Sequence, residues 1–199
     1  MVDTVRTRAE LEALFADNQA AGAVSANDVR DFIASQTLTA ETGWGVWDDN
    51  TYTEGAPLAV NNARVQLTND GANGNTTTTY LPTSGALWNT TTNKIIMPSV
   101  GSAFILRLDF NAKTASVNSY FDWQLDIGDG APDIIIAQNT RTFIKGTNTE
   151  QRFSQTITGF ALATFLANGC KIYIDSTGST HNISVYDIQM FIELTHKPS

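Results

Sequence analysis

From Gly43 onward the chain reads as one short strand after another. Ala63, Val65 and Leu67 alternate with Arg64, Gln66 and Thr68. Phe104, Leu106, Leu108 and Phe110 alternate with Ile105, Arg107 and Asp109. Phe121, Trp123, Leu125 and Ile127 do the same with Asp122, Gln124 and Asp126. Each run has the two-residue period of a strand with one buried face. Phe153, Gln155 and Ile157 share a face further on, and Ile172 and Ile174 flank Tyr173. In the last run Ile183 and Val185 hold one parity, then Tyr186, Ile188, Met190, Ile192 and Leu194 hold the other. That switch predicts a β-bulge or a strand passing between sheets. Ile134-Ile135-Ile136 is apolar throughout and predicts a strand covered on both faces. Turn signals at Asn69-Asp70-Gly71, Gly128-Asp129-Gly130, Asn168-Gly169 and Thr177-Gly178-Ser179 separate the runs. Many short strands without a βαβ rhythm predict a mainly β fold, an antiparallel sandwich or jelly roll, over 39–199. The stretch from Asn69 to Asn93 is the least regular, and Tyr80-Leu81 and Leu87-Trp88 are expected to anchor it as short edge strands.

Residues 1–38 have a different character. Thr7-Arg8-Ala9-Glu10 is a capping box, followed by Leu11, Leu14 and Phe15 on one helix face. Ser25-Ala26-Asn27-Asp28 repeats the device with a shorter acid, followed by Val29, Phe32 and Ile33. This predicts a small helical hairpin with two apolar patches. Helices of this length are marginal alone, so the six apolar residues are read as anchoring or oligomerisation contacts. A DNA-reading helix-turn-helix does not fit, because Arg30 stands alone in the second helix between Asp28 and Asp31.

Composition narrows the function classes. The hydrophobic fraction of 42% is that of a folded protein, while the charged fraction of 16% is low, with Thr and Asn in its place. The net charge of −8 and the lack of a basic stripe argue against nucleic-acid binding. No apolar run approaches the ~18 residues of a membrane span, and no signal-peptide core follows Met1. The expectation is synthesis in a cytoplasm and no membrane partner. Asn75, Asn89 and Asn182 match the N-glycosylation pattern, as chance makes common in such a chain. The single cysteine, Cys170, forms no intrachain disulfide and reads as a small buried hydrophobe.

No reactive constellation stands out, and no cofactor is implied. With two histidines, His181 and His196, a triad or zinc site lacks support. Asp126, Asp129 and Asp133 cluster around two glycines; they read as turn acids, with calcium ligation as the other reading. Asp48, Asp49 and Glu54, with Asp126 and Asp129, are the acids a β-sandwich glycoside hydrolase would draw on. Tyr52, Tyr80 and Trp88 lie near loops and are candidates for stacking on a host-surface glycan.

The run Val24-Ser25-Ala26-Asn27-Asp28-Val29-Arg30-Asp31-Phe32-Ile33 resembles a helical module near the N-terminus of many tailed-bacteriophage fibre and virion proteins. Leu87-Trp88-Asn89, Asn93 to Pro98 and Phe104 to Arg107 are similar to the β-domain of phage head-fibre and tail-fibre proteins. The resemblance implies a homotrimeric, tumour-necrosis-factor-like jelly roll on the virion, docked on capsid or tail proteins through its N-terminal segment. It carries over no catalytic residue. The chain lacks a repetitive shaft, so a compact capsid decoration or short head fibre fits its length better than a long receptor-binding fibre. A tail-associated receptor- or glycan-binding module is the second reading, and a hydrolase the third.

Overall fold

In the computed structural model, the described residues are 10, 13, 25, 28–30, 32, 41–129, 132–178 and 182–197. Eleven strands and one short helix are defined among them: β1 (Gly43–Asp48), β2 (Leu58–Asn61), β3 (Arg64–Gln66), β4 (Trp88–Asn89), β5 (Lys94–Ile95), β6 (Ala103–Thr114), β7 (Tyr120–Asp126), β8 (Ile135–Thr142), β9 (Gln151–Phe160), α1 (Ala163–Asn168), β10 (Lys171–Asp175) and β11 (Asn182–His196). The chain divides into two units, Met1–Ala40 with Ser199, and Glu41–Pro198.

Sheet 1 has the order β1-β11-β6-β9, with β2 beside the start of β11; sheet 2 has the order β3-β10-β7-β8. All of these pairings are antiparallel. Setting aside the short β2, β4 and β5, the first strand pairs with the last, the second with the seventh, the third with the sixth, and the fourth with the fifth. This nesting is a jelly roll, so the chain is a mainly β, antiparallel sandwich.

The alternating runs place their apolar residues between the sheets. Phe104, Leu106, Leu108 and Phe110 of β6 face Phe121, Trp123 and Leu125 of β7, and all are buried. Phe110, Phe121, Phe143 and Phe153 form a ring cluster with centroids 5.0 to 5.9 Å apart, edge-on in most pairs. The parity switch in the last strand is a bulge: the register against β6 shifts between Tyr186 and Gln189, and Asp187 takes a positive φ of 50°. The bulge returns Ile188, Met190, Ile192 and Leu194 to the core face already held by Ile183 and Val185.

Two expectations need correcting. Ile134, Ile135 and Ile136 are not covered on both faces; β8 is the free edge of sheet 2 and all three are exposed. Tyr80-Leu81 forms no strand. Thr77 bridges Val46 instead, and the 69–93 stretch is held by Asn69. This fully buried amide donates to the carbonyls of Trp47 (3.1 Å) and Ile188 (3.2 Å) and accepts from Gly71 N (2.8 Å). The Asn69 carbonyl accepts from the indole of Trp88 (3.0 Å).

In the N-terminal unit, Ser25 and Asp28 form the reciprocal cap: Asp28 N donates to Ser25 Oγ (3.2 Å), and Ser25 N donates to the Asp28 carboxylate (2.8 Å). Residues 28–30 and 32 are helical.

Candidate functional site

Two surfaces stand out. The first is the side of the sandwich where β8 and β9, the free edges of both sheets, lie next to each other. At one end Arg141 of β8 hydrogen-bonds Gln155 of β9, and Gln151 links to Thr142 and Ile144. At the other end polar residues give out. Ile134, Ile135, Ile136, Phe160, Leu162 and Leu166 are each 41 to 63% exposed. Between them a groove of about 200 Å³ opens, floored by Phe104, Leu125 and Ile127 and walled by Ile136, Ile157 and Phe165. These edges carry one arginine each and no lysine or proline. Monomeric proteins usually blunt such edges with charge, proline or a covering segment.

The second surface is the outer face of sheet 1. Trp44 and Val46 of β1 have outward parity, while Gly45 and Trp47 point to the core. Register places Trp44 beside Glu193 and then Ile105, and Val46 beside Phe191 and then Arg107. Tyr80 reaches this face from the 69–93 loop. Its carbonyl accepts the Trp44 amide (2.8 Å), and Val46 and Thr77 exchange backbone bonds (2.9 Å each). Its ring stacks on Trp44 with centroids 4.7 Å apart and planes 25° apart; Trp44 in turn meets Phe191 at 5.8 Å. Gly43 makes the approach possible, since a Cβ there would stand 2.5 Å from Pro82 N and 2.8 Å from Tyr80 O. The loop is tied down further on, where Glu41 accepts from Ser84 N (2.6 Å) and from Lys197 Nζ (2.8 Å). The hydrogen bond from Lys197 is the main reason the Glu41 carboxyl falls to a pKa of about 2.

The candidate acids have separate partners. Asp126, almost fully buried, accepts from Arg64 Nη2 (2.8 Å), Gly128 N (2.7 Å) and Ile134 N (2.9 Å). Burial pushes its pKa up, but the Arg64 bond and the two amides outweigh that and hold it below the ordinary range. Arg64 also bonds Asp133 (3.0 Å) and Gln124 (2.8 Å) and lies 3.6 Å over the Tyr173 ring. Asp129 bridges Lys94 (2.7 Å) and Lys171 (2.9 Å). Lysine and arginine nitrogens thus occupy these carboxylates, and among the described residues no three metal-ligating side chains converge.

Asp48 ends β1 in sheet 1 and Asp49 follows it, while Asp126 ends β7 in sheet 2. Asp48 accepts from Asn75 (2.8 Å), and Asp49 from Tyr52 N (2.7 Å) and Asp70 N (3.1 Å). Glu54 is exposed and contacts Lys113. Each of the five acids named for a hydrolase thus has partners of its own in the protein. Burial, with the Asp126 charge, pushes the Cys170 thiol above its ordinary range.

Of the three candidate stacking aromatics, the structure leaves one on the surface. Trp88 is 2% exposed and hydrogen-bonded inside, so it has no face to offer a glycan. Tyr52 packs against the core, with its hydroxyl accepting from Thr68 (3.2 Å). Tyr80 is 57% exposed. Its neighbours Trp44 and Phe191 were missed by sequence reasoning, although the outward parity of Trp44 was visible in Gly43-Trp44-Gly45-Val46-Trp47. Of the anchoring residues, Val29 and Phe32 are described, at 44% and 39% exposed. Leu11, Leu14, Phe15 and Ile33 lie outside the described residues.

No protein-family profile matches the chain, and no curated relative is detected from its sequence. Among solved structures it is similar to Eiger, a tumour-necrosis-factor protein of S. frugiperda (TM-score 0.42, 9% identity, 81% of this chain and 96% of that one). It is also similar to the PRD1 vertex protein P5 (0.36, 12%, 79% and 74%) and to the cowpea mosaic virus top component (0.26, 12%, 81% and 83%). Likeness at this level says nothing of chemistry or partners.

Proposed function

We propose that this chain is a non-enzymatic structural component of a bacteriophage particle: a homotrimeric capsid decoration or head-fibre-type protein, made in the host cytoplasm. The β-domain projects outward, and the N-terminal segment, through Leu11, Leu14, Phe15, Val29, Phe32 and Ile33, anchors it on other virion proteins. The phage assignment follows the sequence resemblance of 24–33 and 87–107.

The observation that carries the assembly reading is the unguarded apolar edge of β8 and β9. Fully burying one large apolar side chain is worth roughly 1.5–3 kcal/mol. Six such residues left half in water form a surface suited to another chain. Contact between this edge and a different surface of the next copy is head-to-tail, and such a contact closes into a ring of three when successive copies are related by a third of a turn. Native mass measurement on the full chain tests this. The expected mass is three chains, reduced to one by Ile135→Glu with Ile136→Glu while the melting temperature of the isolated fold holds. A wild-type protein that stays monomeric at high concentration would sink the reading.

A further inference from the structure

We propose that the Tyr80–Trp44–Phe191 shelf is a binding site for a neutral saccharide, a use that goes beyond the assembly role of the β8–β9 edge. Tyr80 lies nearly flat on Trp44, so one ring face is covered, yet 57% of the residue is exposed. Its other face is open to solvent. A flat ring with a free face is the surface on which the C–H side of a pyranose stacks. The shelf is also prearranged. The Trp44–Tyr80 and Val46–Thr77 backbone bonds hold the loop against β1, so binding loses little entropy.

What surrounds the rings favours a sugar over a protein. Register sets Glu193 directly beside Trp44, and Arg107 directly beside Phe191. Arg107 is itself paired with Asp109 at 2.7 Å, and Thr156 and Thr158 continue the rows on β9. A protein partner would have to desolvate these charges at the centre of the contact, where protein interfaces are depleted of charge. A pyranose brings hydroxyls at that spacing, and planar carboxylate and guanidinium groups are their natural partners. The chain's net charge of −8 favours a neutral glycan over an acidic one.

The test is calorimetric titration of the full chain with neutral hexasaccharides built from glucose, galactose, mannose and N-acetylglucosamine. At least one series is expected to bind. Tyr80→Ala should weaken it by about tenfold or more, Tyr80→Phe by less than about threefold, and Glu193→Gln by an intermediate factor. Native mass of the same variants is the second arm. Binding by none of the series overturns the proposal, as does unchanged binding by Tyr80→Ala. Loss of the oligomer in Tyr80→Ala also overturns it, because the shelf would then be covered by a second copy.

Discussion

Asn69 shows how one side chain substitutes for regular structure. Its amide joins the 69–93 loop to β1 and β11, and its side-chain and backbone oxygens tie Gly71 and Trp88 within the loop. A buried polar group stripped of its partner costs about 1–3 kcal/mol. Asn69→Ala removes a donor from the Trp47 and Ile188 carbonyls, of which Ile188 keeps the Asp49 amide (2.9 Å), and takes the acceptor from the Gly71 amide, so a loss of about 1–3 kcal/mol is expected in urea unfolding. A loss below about 1 kcal/mol would mean that water takes over the site. Asp126 is the second such residue. Its folded pKa is depressed, so its contribution is complete above its ordinary pKa and disappears as pH falls through the lower folded value. Glu41 acts in the same direction, from an ordinary 4.5 to about 2. Melting temperature should therefore hold above about pH 5 and fall steeply towards pH 2. Asp126→Asn should lower stability near neutrality by about 1–3 kcal/mol, because Arg64 loses the more deeply buried of its two carboxylate partners and keeps only Asp133. It should also flatten the acid limb of the pH profile. An unchanged acid limb would remove Asp126 from the explanation.

At the scale of elements, what a strand shows in its own sequence decides what could be read from it. β6, β7, β9 and β10 have one buried face each, and their alternation names that face. Even the bulge in β11 was written in the parity of Val185 and Tyr186. The three isoleucines of β8 misled because an apolar run reports that cover is needed, not that the same chain supplies it. The aromatic shelf was illegible for another reason. Outward parity marks Trp44 as a surface residue, but nothing local says that Tyr80, thirty-six positions away, will settle on it. That contact depends on a missing atom, the Cβ of Gly43. Gly43→Ala is expected to push the 77–82 segment off β1, since the new methyl would stand 2.5 Å from Pro82 N. Overpacking of this kind costs about 1–3 kcal/mol. The near-ultraviolet circular dichroism of the stacked Trp44–Tyr80 pair should weaken with it. An unaltered spectrum would mean that the loop does not depend on this contact.

The whole molecule has a division of labour that can be tested by cutting it. Among the described residues, the unit Glu41–Pro198 contains both sheets, every buried residue of the core and the β8–β9 edge. Stability of the sandwich therefore belongs to that unit, and the proposed self-association is placed there with it. Attachment is assigned to the N-terminal unit, where Ser25 and Asp28 cap a helix that carries Val29 and Phe32. Deleting residues 1–35 separates the roles. The shortened protein should melt cooperatively within a few degrees of the full chain, because no core side chain is lost. It should keep the mass of the full-length oligomer, because the apolar edge is intact. It should fail to join the particle when expressed during infection, as read by mass spectrometry of purified virions. Incorporation at the wild-type level would end the anchoring role of the helices and move attachment onto the β-domain. A collapse of the oligomer, with the fold intact, would instead assign the N-terminal apolar residues to knitting the copies together, and the β8–β9 edge would need another partner.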